Sequence, residues 1–198
     1  MTLLIALISL ALLSALGTSL TVVMNTELRA AANYAASRET MYAADGMLQI
    51  AARELLAVGD WNALLSSGAL SGFVDGLPVG ARQLGDGSIV DLAQATNLAN
   101  GEPRPWGANN PVWRLFAFGW LSPRTYVIAW VGDDFAENDG DPSTDGGGAA
   151  NPGAGILAVR AEAFGVGSAH TVLEATVRRD AAAGGGPIVR VLSWQKIR

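Results

Sequence analysis

Residues 2–26 read TLLIALISLALLSALGTSLTVVMNT, and this stretch decides the fold. It contains no charged residue, no proline and a single glycine, Gly17. About 25 residues rising about 1.5 Å each reach about 38 Å, more than the hydrocarbon core of a bilayer. The run therefore predicts a helix able to cross a membrane. Inside the run Ser9, Ser14, Thr18, Ser19 and Thr21 carry hydroxyls that can bond back to a helix carbonyl, which keeps their cost in hydrocarbon low. Ala6, Ala11, Ser14, Ala15 and Gly17 offer small surfaces on which a second helix can pack, and Gly17 is where the helix can loosen on leaving the membrane.

Working outward, charge first enters at Glu27 and Arg29. From there apolar or small residues recur at Leu28, Ala31, Ala32, Ala35, Met41, Tyr42, Ala44, Leu48, Ala51, Ala52 and Leu55, with Glu39, Asp45, Arg53 and Glu54 among them. That pattern predicts a continuation of the same helix to about residue 58 with one face packed on protein. The Gly59-Asp60 pair ends it. A secretory signal has a basic lead, a shorter apolar run and a small-residue cleavage site. The apolar run here starts at residue 2, so the reading is a helix whose leader is already removed, or an anchor with a very short leader.

Residues 59–198 are enough for one head domain with its own core. Trp61–Leu70 reads as a short helix or turn, and Phe73–Leu92 as short strands and loops. Asn97–Pro111, with three prolines, two glycines and four asparagines, reads as a surface loop. Val112–Trp120 and Arg124–Val131 are aromatic and β-branched and predict an antiparallel pair around a Ser122-Pro123 turn. Ile156–Phe164 and His170–Arg179 alternate in period 2, with Val159, Ala161 and Ala163 opposite Arg160 and Glu162. They predict half-buried strands joined by a turn at Gly165–Ser168. Ile188–Trp194 is the last expected strand, set off by glycine-alanine tracts before Gly155 and over Ala181–Gly186. The fold class is α+β: a long N-terminal helix, residues 1–58, packed on a mostly antiparallel sheet.

The hydrophobic content of 50% and mean hydropathy of +0.28 are raised by the N-terminal run. Cysteine is absent, which excludes disulfides and thiolate metal sites. Of the formal charge of -5, Asp133, Asp134, Glu137, Asp139, Asp141 and Asp145 supply six negative charges, and without them it would be +1. No clustered Lys and Arg exist to meet phosphates, so nucleic-acid binding is excluded as the main activity. No Walker, dinucleotide or G-x-S-x-G fingerprint occurs. An anchored enzyme is disfavoured because no nucleophile stands with a base.

The acidic loop is the candidate for inorganic chemistry. Asp133, Asp134, Glu137, Asn138, Asp139, Asp141 and Asp145 offer the hard oxygens that calcium takes in sets of about six to eight. The spacing is not that of an EF-hand, and Pro142 interrupts it. Six acids crowded without a Lys or Arg repel one another unless a cation intervenes, and the alternative is a solvated acidic loop. His170, the single histidine, has no companions at ligand spacing and reads as a strand-edge surface residue. Trp106, Trp113, Trp120, Trp130 and Trp194 read as core or subunit contacts, with a ligand-stacking surface as the alternative.

A long helix uncharged over its first 26 residues, followed by a small antiparallel sheet, resembles the plan of type IV pilins and pseudopilins. Within that superfamily the segment Asn33–Leu56 (NYAASRETMYAADGMLQIAARELL) resembles PilX-type pilins, as do the D-x-D-P-S-T-D acidic loop, Asp139–Asp145, and the closing VLSWQKIR. The resemblance covers both ends and about half the chain, and residues 60–120 carry none of it. It implies a structural subunit held in the inner membrane and then assembled, with copies of itself or sister pilins, into an extracellular filament. Met1, Leu3, Leu4, Ile5, Leu7, Ala11, Leu12, Ala15, Gly17 and Leu20 would form the assembly helix. Most major pilins resemble F-T-L-x-E at the mature start, and if Met1 is the mature N-terminus this chain has Ile5 at the glutamate position. That departure implies the alternative of a minor tip or priming subunit, or a pseudopilin, serving adhesion or partner binding.

Overall fold

The computed structural model describes residues 1–137, 139–146, 155–181 and 185–198. The chain divides into two compact units, Met1–Ala36 and Ser37–Arg198, and the first helix, α1 (Thr2–Ala57), contributes to both.

The first unit is helix alone. Residues 1–35 are all exposed, and α1 is long and apolar enough to cross a membrane by length and composition. The hydroxyls of Thr18, Thr21 and Thr26 donate to the carbonyls of Ser14, Gly17 and Val22 at 3.0, 2.9 and 2.9 Å. These are the back-bonds expected of hydroxyl residues in an apolar helix.

In the second unit α1 becomes the spine of a core. Its buried residues are Thr40, Ala43, Ala44, Met47, Leu48, Ala51, Ala52 and Leu55, a stripe at helical spacing. Packing therefore begins at Thr40. The earlier positions expected to face protein, Leu28, Ala31, Ala32 and Ala35, are exposed, as is Tyr42. Alanines at four positions of the stripe keep the helix close to the sheet. Helix α2 (Trp61–Ser67) follows after Asp60, whose carboxylate accepts from the Asn62 amide at 2.9 Å, and it stops at Gly68 in the left-handed conformation, φ 67°.

Five strands, β3 (Arg114–Ser122), β4 (Thr125–Asp133), β5 (Ile156–Phe164), β6 (His170–Ala181) and β7 (Pro187–Lys196), form one antiparallel sheet in chain order. A separate hairpin pairs β1 (Ala81–Gln83) with β2 (Ile89–Asp91) and leads into α3 (Leu92–Gly101). The outer edge of β3 is covered by residues 71–74, through Ser71 N to Phe116 O at 2.8 Å and Phe118 N to Phe73 O at 3.0 Å.

Each face of the sheet has its own core. One face sets Phe116, Val127, Ala129, Val131, Val159, Ala161 and Leu173 against α1 and α2. The other sets Phe118, Tyr126, Ile128 and Trp130 against Leu92, Ala95 and Ala99 of α3. Two expectations fail together here. Residues 97–101 are helix where a surface loop was expected, and β5 is buried on both faces where it was expected to be half-buried. The cause is shared: Asp91 caps α3 by accepting from the Gln94 amide at 2.8 Å, and the capped helix roofs the second face.

Candidate functional site

The acidic loop begins where β4 ends. Gly132, the residue before Asp133, has no room for a side chain: a Cβ there would lie 2.9 Å from Pro111 Cβ and 3.3 Å from the Trp113 ring. That close approach fixes the end of β4 and points Asp133 inward, where it is 4% exposed. A turn then folds the chain back, with the Glu137 amide donating to Asp134 O at 3.0 Å and the Ala136 amide to Asp134 Oδ1 at 3.2 Å. Carboxylate oxygens of Asp133, Glu137 and Asp139 consequently lie within 4.8 Å of one another.

The loop is anchored from outside. Asn109 donates its Nδ2 to the Glu137 carbonyl and accepts the Gly140 amide at 3.1 Å, and Trp106 stacks on Phe135 with ring centroids 4.7 Å apart. At the far end the Asp145 amide donates to Asn62 of α2 at 2.6 Å, while its carboxylate accepts the Gly155 amide at 2.8 Å.

Of the seven expected ligands, the structure therefore brings together Asp133, Glu137 and Asp139. Asp134 and Asp141 take local turn bonds, Asp145 braces the far end of the loop, and Asn138 lies outside the described residues. Burial pushes the Asp133 carboxyl up to about 8, aided by the charges of Glu137, Asp139 and Asp145 and opposed by the Asp134 amide. Burial likewise raises Asp145 against the pull of the Gly155 and Ile156 amides, whereas hydrogen bonds from Ser143 lower Asp141.

A second polar constellation went unread in the sequence. Arg160, in the middle of β5, is 2% exposed and meets three glutamates. Its Nη1 and Nη2 grip Glu102 at 2.7 and 2.8 Å, Nε donates to Glu162 at 2.8 Å, and Nη1 reaches Glu174 at 3.0 Å. Arg104 donates to the other side of Glu174, and His170 Nε2 lies 2.9 Å from Glu162. Register assembles the group, since Trp130 pairs with Arg160 and Arg160 with Glu174 across neighbouring strands. Burial opposes the Arg160 charge, but the hydrogen bonds and fields of Glu102 and Glu162 outweigh it and hold its pKa above the ordinary arginine value. His170 is thus a half-buried member of this group, stacked on Phe164 at 4.5 Å, and not the surface residue expected.

Glu102, Arg160, Glu162 and His170 of this group line a groove of about 560 Å³ between α3 and the sheet, together with Leu98, Phe164, Val172 and Ile197. Each Arg160 nitrogen already has a carboxylate, so the charge of Arg160 is met from within the group. The tryptophans divide: Trp113 and Trp130 are core, whereas Trp106, Trp120 and Trp194 are partly exposed.

On the expected assembly helix, Met1, Leu3, Leu4, Ile5, Leu7, Ala11, Leu12, Ala15, Gly17 and Leu20 are all exposed, and a side chain at Gly17 would meet nothing within 4 Å. Set against models of known protein families, curated proteins and solved structures, the chain matches none of them.

Proposed function

We propose that this chain is a pilin-like structural subunit, anchored in the inner membrane before assembly and then carried in an extracellular filament of the type IV pilus kind. One observation carries the reading. Residues 1–35 are exposed throughout and uncharged to Thr26, and the same helix goes on to form the core of the sheet-bearing unit. An apolar surface of that extent is stable only when lipid or protein covers it. A bilayer covers it first, and copies of the same helix can replace the bilayer at little cost, because lipid tails and leucine side chains are similarly apolar and small residues allow close contact. The resemblance of Asn33–Leu56 and the acidic loop to PilX-type pilins supports the same reading.

The exposed Trp106, Trp120 and Trp194 of the sheet-bearing unit favour a second reading: a minor tip or priming subunit whose sheet or acidic loop meets a partner. Negative-stain microscopy of sheared surface filaments, with mass spectrometry of their subunits, separates the two. A principal subunit dominates the filament mass, and a tip subunit is present in traces. A chain found only as single molecules in the bilayer contradicts both.

A further inference from the structure

We propose that the end of β4 and the turn behind it form a calcium site built on Asp133, Glu137 and Asp139. Acidic clusters are common on solvated loops, so three neighbouring carboxylates do not suffice. What sets this one apart is Asp133, a member of the carboxylate group whose Oδ1 is buried with no hydrogen-bond partner among the described residues. A buried carboxylate oxygen that accepts nothing is strongly disfavoured unless a proton or a cation meets it.

No arginine or lysine occurs between Arg124 and Arg160 in the sequence. The arginines Arg160, Arg104 and Arg179 are engaged elsewhere: Arg160 and Arg104 hold glutamates, and Arg179 donates to the carbonyls of Leu55, Val58 and Gly59. A proton on Asp133 meets that one oxygen but does nothing to draw on the Glu137 and Asp139 carboxylates beside it. A divalent cation meets the Asp133 oxygen and takes a ligand from each of the three.

The donor set selects calcium. It is oxygen only, with no imidazole or thiolate in reach, which disfavours zinc, copper and nickel. Its oxygens come from a strand end and a folded turn, an irregular set that calcium accepts and completes with carbonyls and water, whereas magnesium requires a near-ideal octahedron. Bound there, calcium clamps the end of β4 to the loop that holds Phe135 against Trp106 and Glu137 against Asn109.

The test uses the full chain in detergent micelles, stripped with EDTA and titrated with calcium chloride by calorimetry and by thermal melting followed through tryptophan fluorescence. The expected result is saturable binding with a raised melting temperature. Asp139→Asn, at an exposed position that leaves folding intact, is expected to weaken binding about tenfold or more. Asp133→Asn is expected to lose the calcium response while melting no lower than the wild type in EDTA. No calcium heat with an unchanged melt, a wild-type response from Asp139→Asn, or an equal response to magnesium overturns the assignment. The readout is made on dispersed protomers, so it stands or falls independently of filament formation.

Discussion

Replacing Arg160 with methionine tests whether the charge cluster is truly desolvated. Methionine keeps an unbranched apolar stem but removes the cation from three carboxylates. Glu102 has a side chain 41% exposed and can turn to water, so its loss counts little. Glu174, 5% exposed, keeps Arg104. Glu162, 7% exposed, keeps only His170 among the described residues, and becomes the buried carboxylate that has lost its arginine. Breaking a buried pair by removing one partner costs about 3–5 kcal/mol, and because Arg104 rescues Glu174 the low end, about 3 kcal/mol, is expected. For a unit of this size that lowers the melting temperature by about 6–12 °C. Urea unfolding and thermal melting of the full chain in micelles, followed by tryptophan fluorescence, measure it. Adding Glu162→Gln to the methionine variant is expected to recover more than half of the loss, since it removes the orphaned charge. A loss below about 1 kcal/mol from Arg160→Met, or no recovery in the double variant, refutes the claim that these groups are held away from water.

Glu102 sits below its ordinary value of 4.5, chiefly through its hydrogen bonds from Arg160, with burial opposing and the charges of Arg160 and Arg104 helping. A depressed acid stabilises above its unfolded pKa and loses that contribution as pH falls through the folded one. The stability difference between wild type and Glu102→Gln is therefore expected to be full above about pH 5 and to vanish in stronger acid, as read from urea midpoints. Asp133 has the opposite sign: its folded pKa is raised to about 8 from 3.8, so in EDTA its contribution is full below the ordinary carboxylate range and is lost as pH climbs to about 8. Asp133→Asn is expected to flatten that decline, measured as the slope of melting temperature between pH 5 and pH 8. Gly132→Ala must displace Pro111 or the Trp113 ring, and is expected to cost about 1–3 kcal/mol in urea unfolding and to blunt any calcium response.

The apolar run, the break at Gly59-Asp60 and the strands from β3 to β7 were legible because each rests on a strong local signal: an uncharged stretch, a glycine with a capping residue, or period-2 alternation. Helix α3 was missed because only ten residues long and ending among Asn, Gly and Pro, it carries a weaker signal than the turn chemistry that follows it. That single omission hid the charge cluster. Alternation on β5 shows that Arg160 and Glu162 share a face, but it is identical for a face in water and a face under a helix. Only the roof distinguishes them. The acidic loop was visible as composition, yet which three of its acids converge depends on the Asp134–Glu137 turn and on Gly132 packed against Pro111 and Trp113, and spacing alone encodes neither. Packing on α1 was placed too early for a similar reason, since alanines at 31, 32 and 35 look alike whether a partner is present or absent.

The central claim is that the exposed apolar half of α1 exchanges lipid for neighbouring helices, and the absence of cysteine makes it directly measurable. Ala15→Cys introduces a unique thiol on that half, at a small-residue position where helices can approach closely. Oxidative cross-linking should leave the chain monomeric in inner membranes and convert it to disulfide-linked species in sheared filaments. Equal cross-linking in both fractions, or none in filaments that contain the chain, contradicts the account.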